Sequence, residues 1–174
     1  MTTDFSLFVD PPKTLKLAAN LPYNISTPIL QRLVVQRALF TRIVLMFQRE
    51  VAGRIAAPAG SSARGSLSVM VENAFEIERV FDVPPTAFRP VPKVWSSVVK
   101  LSPKEPLIAD SEGLRRLLIA SFAQKRKTIL NNLKLLDGDA RAILTEAKIV
   151  ENRRAESLSL TDWKHLLAAI TRDR

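Results

Sequence analysis

Residues Leu15–Leu30 read LKLAANLPYNISTPIL, and the fold turns on how this stretch is divided. Leu15–Ala19 is a short continuous apolar run of strand length, stopped by Asn20-Leu21-Pro22-Tyr23. Thr27-Pro28 then opens a helix, with proline in the first turn where its missing N–H costs nothing. Leu30, Leu33 and Val34 give that helix an apolar stripe, with Gln31, Arg32 and Gln36 outside it; it is expected to run to about Phe40. A second apolar run follows at Arg42–Phe47, RIVLMF, of the kind buried on both faces of a parallel sheet. Strand, crossover helix, strand is a βαβ unit, so the front of the chain is α/β.

Further along, QREVAGRIAA continues as a short helix, and PAGSSARG, Pro58–Gly65, reads as a mobile loop of small, turn-forming residues. SLSVMVENA is helical or mixed. FEIERVFDV and SSVVKLSP are strand patterns separated by the proline-rich PPTAFRPVPKV, an arrangement expected of an antiparallel pair closing the sheet edge. Ser102–Pro106, SPKEP, reads as a linker. Beyond it, Leu114, Leu117, Leu118 and Phe122 recur at helical spacing, followed by Ile129, Leu130 and Leu133, then ARAILTEAKIV. In the last helix Ser159 and Asp162 form a capping box, Leu158 and Trp163 occupy the two staple positions, and His165 falls on the outer face. The expected organisation is an α/β unit over residues 1–102 and a small all-α unit over 103–174.

An apolar content of 47% over 174 residues is enough to bury a core, so disorder is excluded as a class. No apolar window reaches spanning length and no basic region leads into an apolar one at the start. The expectation is therefore a soluble, cytoplasmic protein without membrane association. The absence of cysteine excludes disulfides, thiolate catalysis and cysteine-based zinc, and His165, the single histidine, leaves no histidine-rich metal site. Charge is more informative. The chain carries +9, and Arg89–Lys134 holds ten basic residues against three acids, +7 of that excess. A polyanion is the expected partner, set against a merely solvated basic face.

Asn20-Leu21-Pro22-Tyr23 combines two features that suit a nucleobase. At the carboxyl end of a parallel strand, where open α/β sheets bind ligands, the Asn20 oxygen and the Leu21 carbonyl can accept the two N–H bonds of an adenine amino group. Tyr23 can stack on its ring, with Pro22 stiffening the turn. Holding both hydrogens out of conjugation makes the nitrogen more tetrahedral and more nucleophilic, with no strong base required. The alternative is an ordinary strand-to-helix turn in which Asn20 bonds its own backbone.

The chain resembles the bacterial ribosomal RNA adenine dimethyltransferases of the KsgA type, relatives of the Erm resistance methyltransferases. NLPYNISTPIL, FQREVAGRI, GSLSVM, FDVPPTAFRPVPKVWSSVVKL, FAQKRKTILNNL and RAESLSLTDWKHL match the family's segments in order, from about Leu15 to Ile170. The resemblance implies the C-terminal half of a Rossmann-like, S-adenosylmethionine-dependent methyltransferase domain followed by a helical RNA-binding domain. It further implies dimethylation of two adjacent adenines near the 3′ end of small-subunit (16S) rRNA on an assembling pre-30S particle, by a monomer that uses no metal. Asn20, Leu21, Pro22 and Tyr23 become the adenine-amine clamp, with Asn20 also beside the cofactor, and Phe88 the second aromatic closing on the base. Arg89, Lys93, Arg115, Arg116, Gln124, Lys125, Arg126 and Lys127 become the RNA-binding set. An Erm-type action on large-subunit rRNA is disfavoured by the extended FAQKRKT region.

Two departures accompany the match. Where the family usually has Lys-Val-Asp-Ser, this chain has Lys93-Val94-Trp95-Ser96, and both an RNA-stacking surface and a core position are open to Trp95. The family's Gly-x-Gly cofactor loop and ribose-binding acid have no counterpart: the glycines Gly53, Gly60, Gly65, Gly113 and Gly138 never form that loop and all follow Asn20. The chain is accordingly expected to begin at an internal methionine, to leave a sheet edge unpaired, and to be inactive by itself. The rival expectation is a non-catalytic RNA- or ribosome-binding module. Titration calorimetry of the purified 174-residue chain with S-adenosylmethionine should give no binding heat; measurable binding contradicts the expectation of inactivity.

Overall fold

The computed structural model describes residues 4–8, 15–22, 25–136 and 138–172. These form two compact units, the first from Met1–Ala56 with Ala74–Glu105 and the second from Ala57–Asn73 with Pro106–Arg174. Each is described in turn.

The first unit is built on a four-stranded sheet in the order β1-β2-β4-β3. β1 is Leu15–Asn20 and β2 is Phe40–Gln48; they run parallel, with Asn20 opposite Met46, and the helix α1, Ser26–Val35, crosses between them. β4, Ser96–Pro103, lies antiparallel to β2 with Gln48 opposite Ser96, and β3, Phe75–Val83, lies antiparallel to β4 with Val83 opposite the same Ser96. The expected βαβ unit and antiparallel closing pair are both present.

Ile43, Leu45 and Phe47 of β2 and Val99 and Leu101 of β4 are fully buried, as are Leu30 and Leu33 of α1. Burial of each such side chain stabilises the fold by about 1.5–3 kcal/mol. β2 was expected to be buried on both faces. Instead Val44 and Met46, on its other face, are half-buried. β1 was expected to be a buried strand and is not: Lys16, Ala18 and Asn20 are exposed and Leu15, Leu17 and Ala19 half-buried. Its place at the sheet edge explains this, because among the described residues it pairs with β2 alone. α1 ends at Val35 rather than near Phe40; a 3-10 turn at Arg37–Leu39 makes the tighter corner into β2. α2, Arg49–Ile55, leaves β2 directly and buries Ala52 and Ile55.

The second unit contains most of α3 (Ser66–Ala74) together with α4 (Ser111–Ser121), α5 (Ile129–Leu133), α6 (Ala140–Glu146) and α7 (Leu160–Arg172). Residues 57–73 are tied to it through Asn73 and the Gly60 backbone, while a buried arginine braces the segment from within. The Arg64 guanidinium, 1% exposed, donates to the Ala57 carbonyl (2.8 Å) and to Glu72 (2.5 Å). Asn73 pairs with the backbone of Ile108 on both edges, donating to its carbonyl (2.9 Å) and accepting from its N–H (3.0 Å). The Gly60 N–H also donates to the Glu156 carbonyl (2.8 Å). The segment read as a mobile loop is thus anchored from inside, since a buried arginine must keep its partners or carry an unpaired charge.

The N-terminus of α7 has the expected form. The Ser159 N–H donates to the Asp162 carboxylate (2.8 Å), the Asp162 N–H donates to the Ser159 hydroxyl (3.1 Å), and the staple residues Leu158 and Trp163 are fully buried. Burial pushes the Asp162 carboxyl up, but the Ser159 N–H and hydroxyl and the Arg153 guanidinium outweigh it and hold the group below its usual range. Ser159→Ala should lower stability by about 1 kcal/mol in urea unfolding. Because the Asp162 pKa is depressed on folding, its contribution should be complete at neutral pH. It should fade only as pH falls below the ordinary value of 3.8. An Asp162→Asn penalty that persisted unchanged at acid pH would contradict this.

Candidate functional site

The strand directions decide where the site lies. β1 and β2 both end on one side of the sheet, and since β4 runs against β2, its amino end is on that side too, as is the carboxyl end of β3. The connection from Val83 to Ser96 therefore overhangs the exits of β1 and β2. It is stiffened by Pro84, Pro85, Pro90 and Pro92, with a 3-10 turn at Pro85–Ala87 and a cis Arg89–Pro90 bond. The Ala87 and Phe88 N–H groups donate to the Pro84 and Pro85 carbonyls (3.1 and 3.2 Å), which fixes the backbone on which Phe88 is carried.

Between this connection and the end of β1 is a cleft of about 320 Å³, lined by Asn20, Leu21 and Pro22 on one side and Phe88, Arg89, Pro90 and Pro92 on the other. Its volume is at the lower bound of small-ligand sites. The sequence reading placed Asn20, Leu21, Pro22 and Phe88 together, and the structure does so. Asn20 is exposed and, among the described residues, its side chain makes no hydrogen bond, so the alternative of a turn residue bonding its own backbone is not what is observed. The Pro22 carbonyl, by contrast, is occupied, accepting from the Ile25 N–H (3.2 Å) and the Ser26 hydroxyl (3.3 Å) where α1 begins. Phe88 is half-buried and Arg89 exposed. Tyr23 lies outside the described residues.

The chemistry available in this lining is an amide oxygen, a half-buried ring, rigid proline faces and one cation. It contains no carboxylate or imidazole for acid or base work, which suits holding a neutral planar group. Among the described residues the lining does not fit a sulfonium cofactor: it has no glycine turn to admit a nucleoside and no acid for a ribose diol, and its one described charge, Arg89, repels a cation. Asn20 is the single residue here that the resemblance sets beside the cofactor.

The remaining basic residues fall elsewhere. Lys93 is exposed and lines a separate cleft with Arg49 and Trp95. In the second unit Arg115 is tied to Glu112 by two contacts of 2.8 Å, which holds that carboxyl below its usual range, and Arg116 is exposed beside it. Lys125, Arg126 and Lys127 are exposed on the turn between α4 and α5. That turn is shaped by Asn132, 1% exposed, which accepts from the Gln124 N–H (3.1 Å) and donates to the Gln124 carbonyl (3.3 Å). The sequence analysis did not single out Asn132; a polar residue in helical register with Ile129 was the available signal. Arg49 was also passed over, because its place beside the site follows only once the strand order is known.

A family model described as ribosomal RNA adenine dimethylase matches residues 1–172. The chain belongs to the ribosomal RNA adenine dimethylase family. Among its relatives, the ribosomal RNA small subunit methyltransferase A of Magnetococcus marinus is 47% identical over 155 residues, covering 87% of this chain and 56% of that protein. Its namesake from Xylella fastidiosa is 42% identical, covering 94% and 62%. The chain thus spans about three fifths of the length of these curated relatives. Among solved structures, a dimethyladenosine transferase from Plasmodium falciparum superposes with a TM-score of 0.78 at 29% identity, over 95% of this chain and 69% of that one. The 23S rRNA methyltransferase ErmE shares the fold, with a TM-score of 0.66 at 23% identity over 98% and 71%. The Rossmann-like α/β fold expected from the sequence is that of the dimethylase family.

If the turn at Lys125, Arg126 and Lys127 touches phosphates, replacing all three with glutamine should flatten the salt dependence of RNA binding by about two to three units of slope. An unchanged slope would show that the cluster faces water.

Proposed function

We propose that this chain is the target-recognition part of an enzyme that dimethylates the exocyclic amines of two adjacent adenines near the 3′ end of small-subunit rRNA. The observation that carries the reading is the cleft between Asn20-Leu21-Pro22 and Phe88, in a chain of the adenine dimethylase family. S-adenosylmethionine, for which the described lining offers no site, would supply the electrophilic methyl group. The residues of this cleft serve the acceptor side. An adenine turned out of its stack lies with one face on Phe88, and on Tyr23 in the part of the loop not described. The unpartnered Asn20 oxygen accepts one amino hydrogen and the Leu21 carbonyl the other. Holding the two N–H bonds out of the ring plane takes the nitrogen lone pair out of conjugation and frees it for attack. The proton of the alkylated nitrogen is acidic enough to leave without a dedicated base, in keeping with a lining that offers none.

The +9 charge supports a polyanionic partner, and Arg89, at the rim of the cleft, is suited to a phosphate beside the flipped nucleotide. The proposed setting is a pre-30S particle in the cytoplasm. No described helix is long and apolar enough to cross a membrane.

The amine clamp is tested by a double comparison. Short RNAs carrying adenosine or purine riboside, which lacks the amino group, should bind this chain with a preference for adenosine of about two- to tenfold, the worth of a hydrogen bond at the site. Asn20→Ala should reduce that preference, leaving only the part owed to the Leu21 carbonyl, with affinity for the purine riboside RNA nearly unchanged. Equal binding of the two RNAs by the unmodified chain would contradict the clamp. In a complete enzyme, Tyr23→Ala should abolish turnover with little loss of RNA affinity; retained turnover would disprove its stacking role.

A further inference from the structure

The connection from Val83 to Ser96 rims two clefts. Its first half faces the exit of β1 and closes the base cleft; its second half, Lys93-Val94-Trp95, faces the exit of β2, where Gln48, Arg49 and Glu50 complete a second cleft of about 290 Å³. Trp95 is 43% exposed, and the Arg49 guanidinium sits over its ring, 5.7 Å from the centroid. The pair is fixed by backbone as well, the Arg49 N–H donating to the Trp95 carbonyl (2.9 Å). Immediately afterwards Ser96 and Ser97 are fully buried, so the indole is held at the rim on a rigid strand end.

The charges at this cleft are cationic in effect. Among the described residues neither Arg49 nor Lys93 makes an ion pair, whereas Glu50, which also lines the cleft, is paired with Arg54 at 2.8 Å. The other nearby acid, Asp82, is engaged by the Ser97 hydroxyl and by Arg79 at 3.1 Å, and these contacts, with a smaller influence from Arg49, hold it below its usual range. A half-exposed indole already bearing a guanidinium, with a free ammonium beside it, combines a stacking platform with phosphate attraction, the two elements that hold single-stranded nucleic acid. Because β1, β2 and β4 are consecutive in the sheet, this platform stands about two strand spacings, roughly 10 Å, from the end of β1.

We propose that Trp95, Arg49 and Lys93 form a second nucleotide subsite, in which a nucleotide flanking the target adenine in the same RNA strand stacks on Trp95 with its phosphate on Lys93 and Arg49. This rests on the RNA-recognition reading above and extends it from one nucleotide to a stretch of strand. Tryptophan offers a surface every base can stack on, so the subsite contributes affinity without sequence preference.

The chain's two tryptophans make the test direct, since Trp163 is fully buried and Trp95 is not. Binding of a short oligoadenylate to the 174-residue chain should quench the emission of Trp95. Trp95→Ala should remove the quench and weaken binding, followed by anisotropy of labelled RNA, by between about fivefold and a hundredfold. Trp95→Phe, which keeps a stacking face, should retain most of the affinity, and Lys93→Gln should reduce the salt slope by about 0.7. If Trp95→Ala bound as tightly as the unmodified chain while the preference for adenosine over purine riboside persisted, the subsite would be overturned and the base cleft would stand. If the unmodified chain bound no oligoadenylate, both would fall.

Discussion

The antiparallel pairing of β2 with β4, in register from Ile43 opposite Leu101 to Gln48 opposite Ser96, is the constraint on which the arrangement of the site depends. A parallel β4 would start at the far end of the sheet and carry its leading connection away from Asn20. With β4 reversed, the proline-rich connection that precedes it arrives at the same end at which β1 and β2 leave. A segment with few backbone freedoms is thereby suspended over two strand exits. The buried faces of Ile43, Leu45 and Phe47 on β2 and of Val99 and Leu101 on β4 hold that register, because slipping β4 by one residue would turn Val99 and Leu101 outward.

The chemistry at that end follows from what is absent as much as from what is present. An adenine amine needs its hydrogens held and its ring clamped, and the cleft offers an unpartnered amide oxygen beside a half-buried aromatic ring, with no acid or base among the described lining residues. Rigidity comes from proline rather than from a network of side-chain hydrogen bonds. Positive charge is placed at the rims, on Arg89, Arg49 and Lys93, where it can meet phosphates without penalising a neutral base inside. The second unit has its own cationic turn, shaped by the buried Asn132 rather than by regular secondary structure.

Much of this was legible in the sequence where a single local rule decides the outcome. Pro28 marked the first turn of α1, the apolar runs marked β1 and β2, and Ser159 with Asp162 announced α7. The Asn20 and Phe88 partnership was legible through family resemblance and through the position of Asn20 at a strand exit. What escaped depends on partners distant in the chain. The exposure of β1 reflects its edge position; an unpaired edge was expected, but the apolar run Leu15–Ala19 by itself reads as a buried strand. The anchoring of 57–73 rests on Asn73, whose partner Ile108 lies 35 positions along. Trp95 stayed ambiguous between core and surface because its environment is set by Arg49, on the neighbouring strand's exit.

The central claim is that the corner formed by Asn20, Leu21, Pro22 and Phe88 receives a purine. A crystal structure of the chain with a short adenosine-containing single-stranded RNA tests it most directly. A base is expected between these residues, its ring against Phe88 and its amino nitrogen about 2.7–3.2 Å from the Asn20 side-chain oxygen. A base bound elsewhere, with the cleft filled by the protein's own side chains, would contradict it.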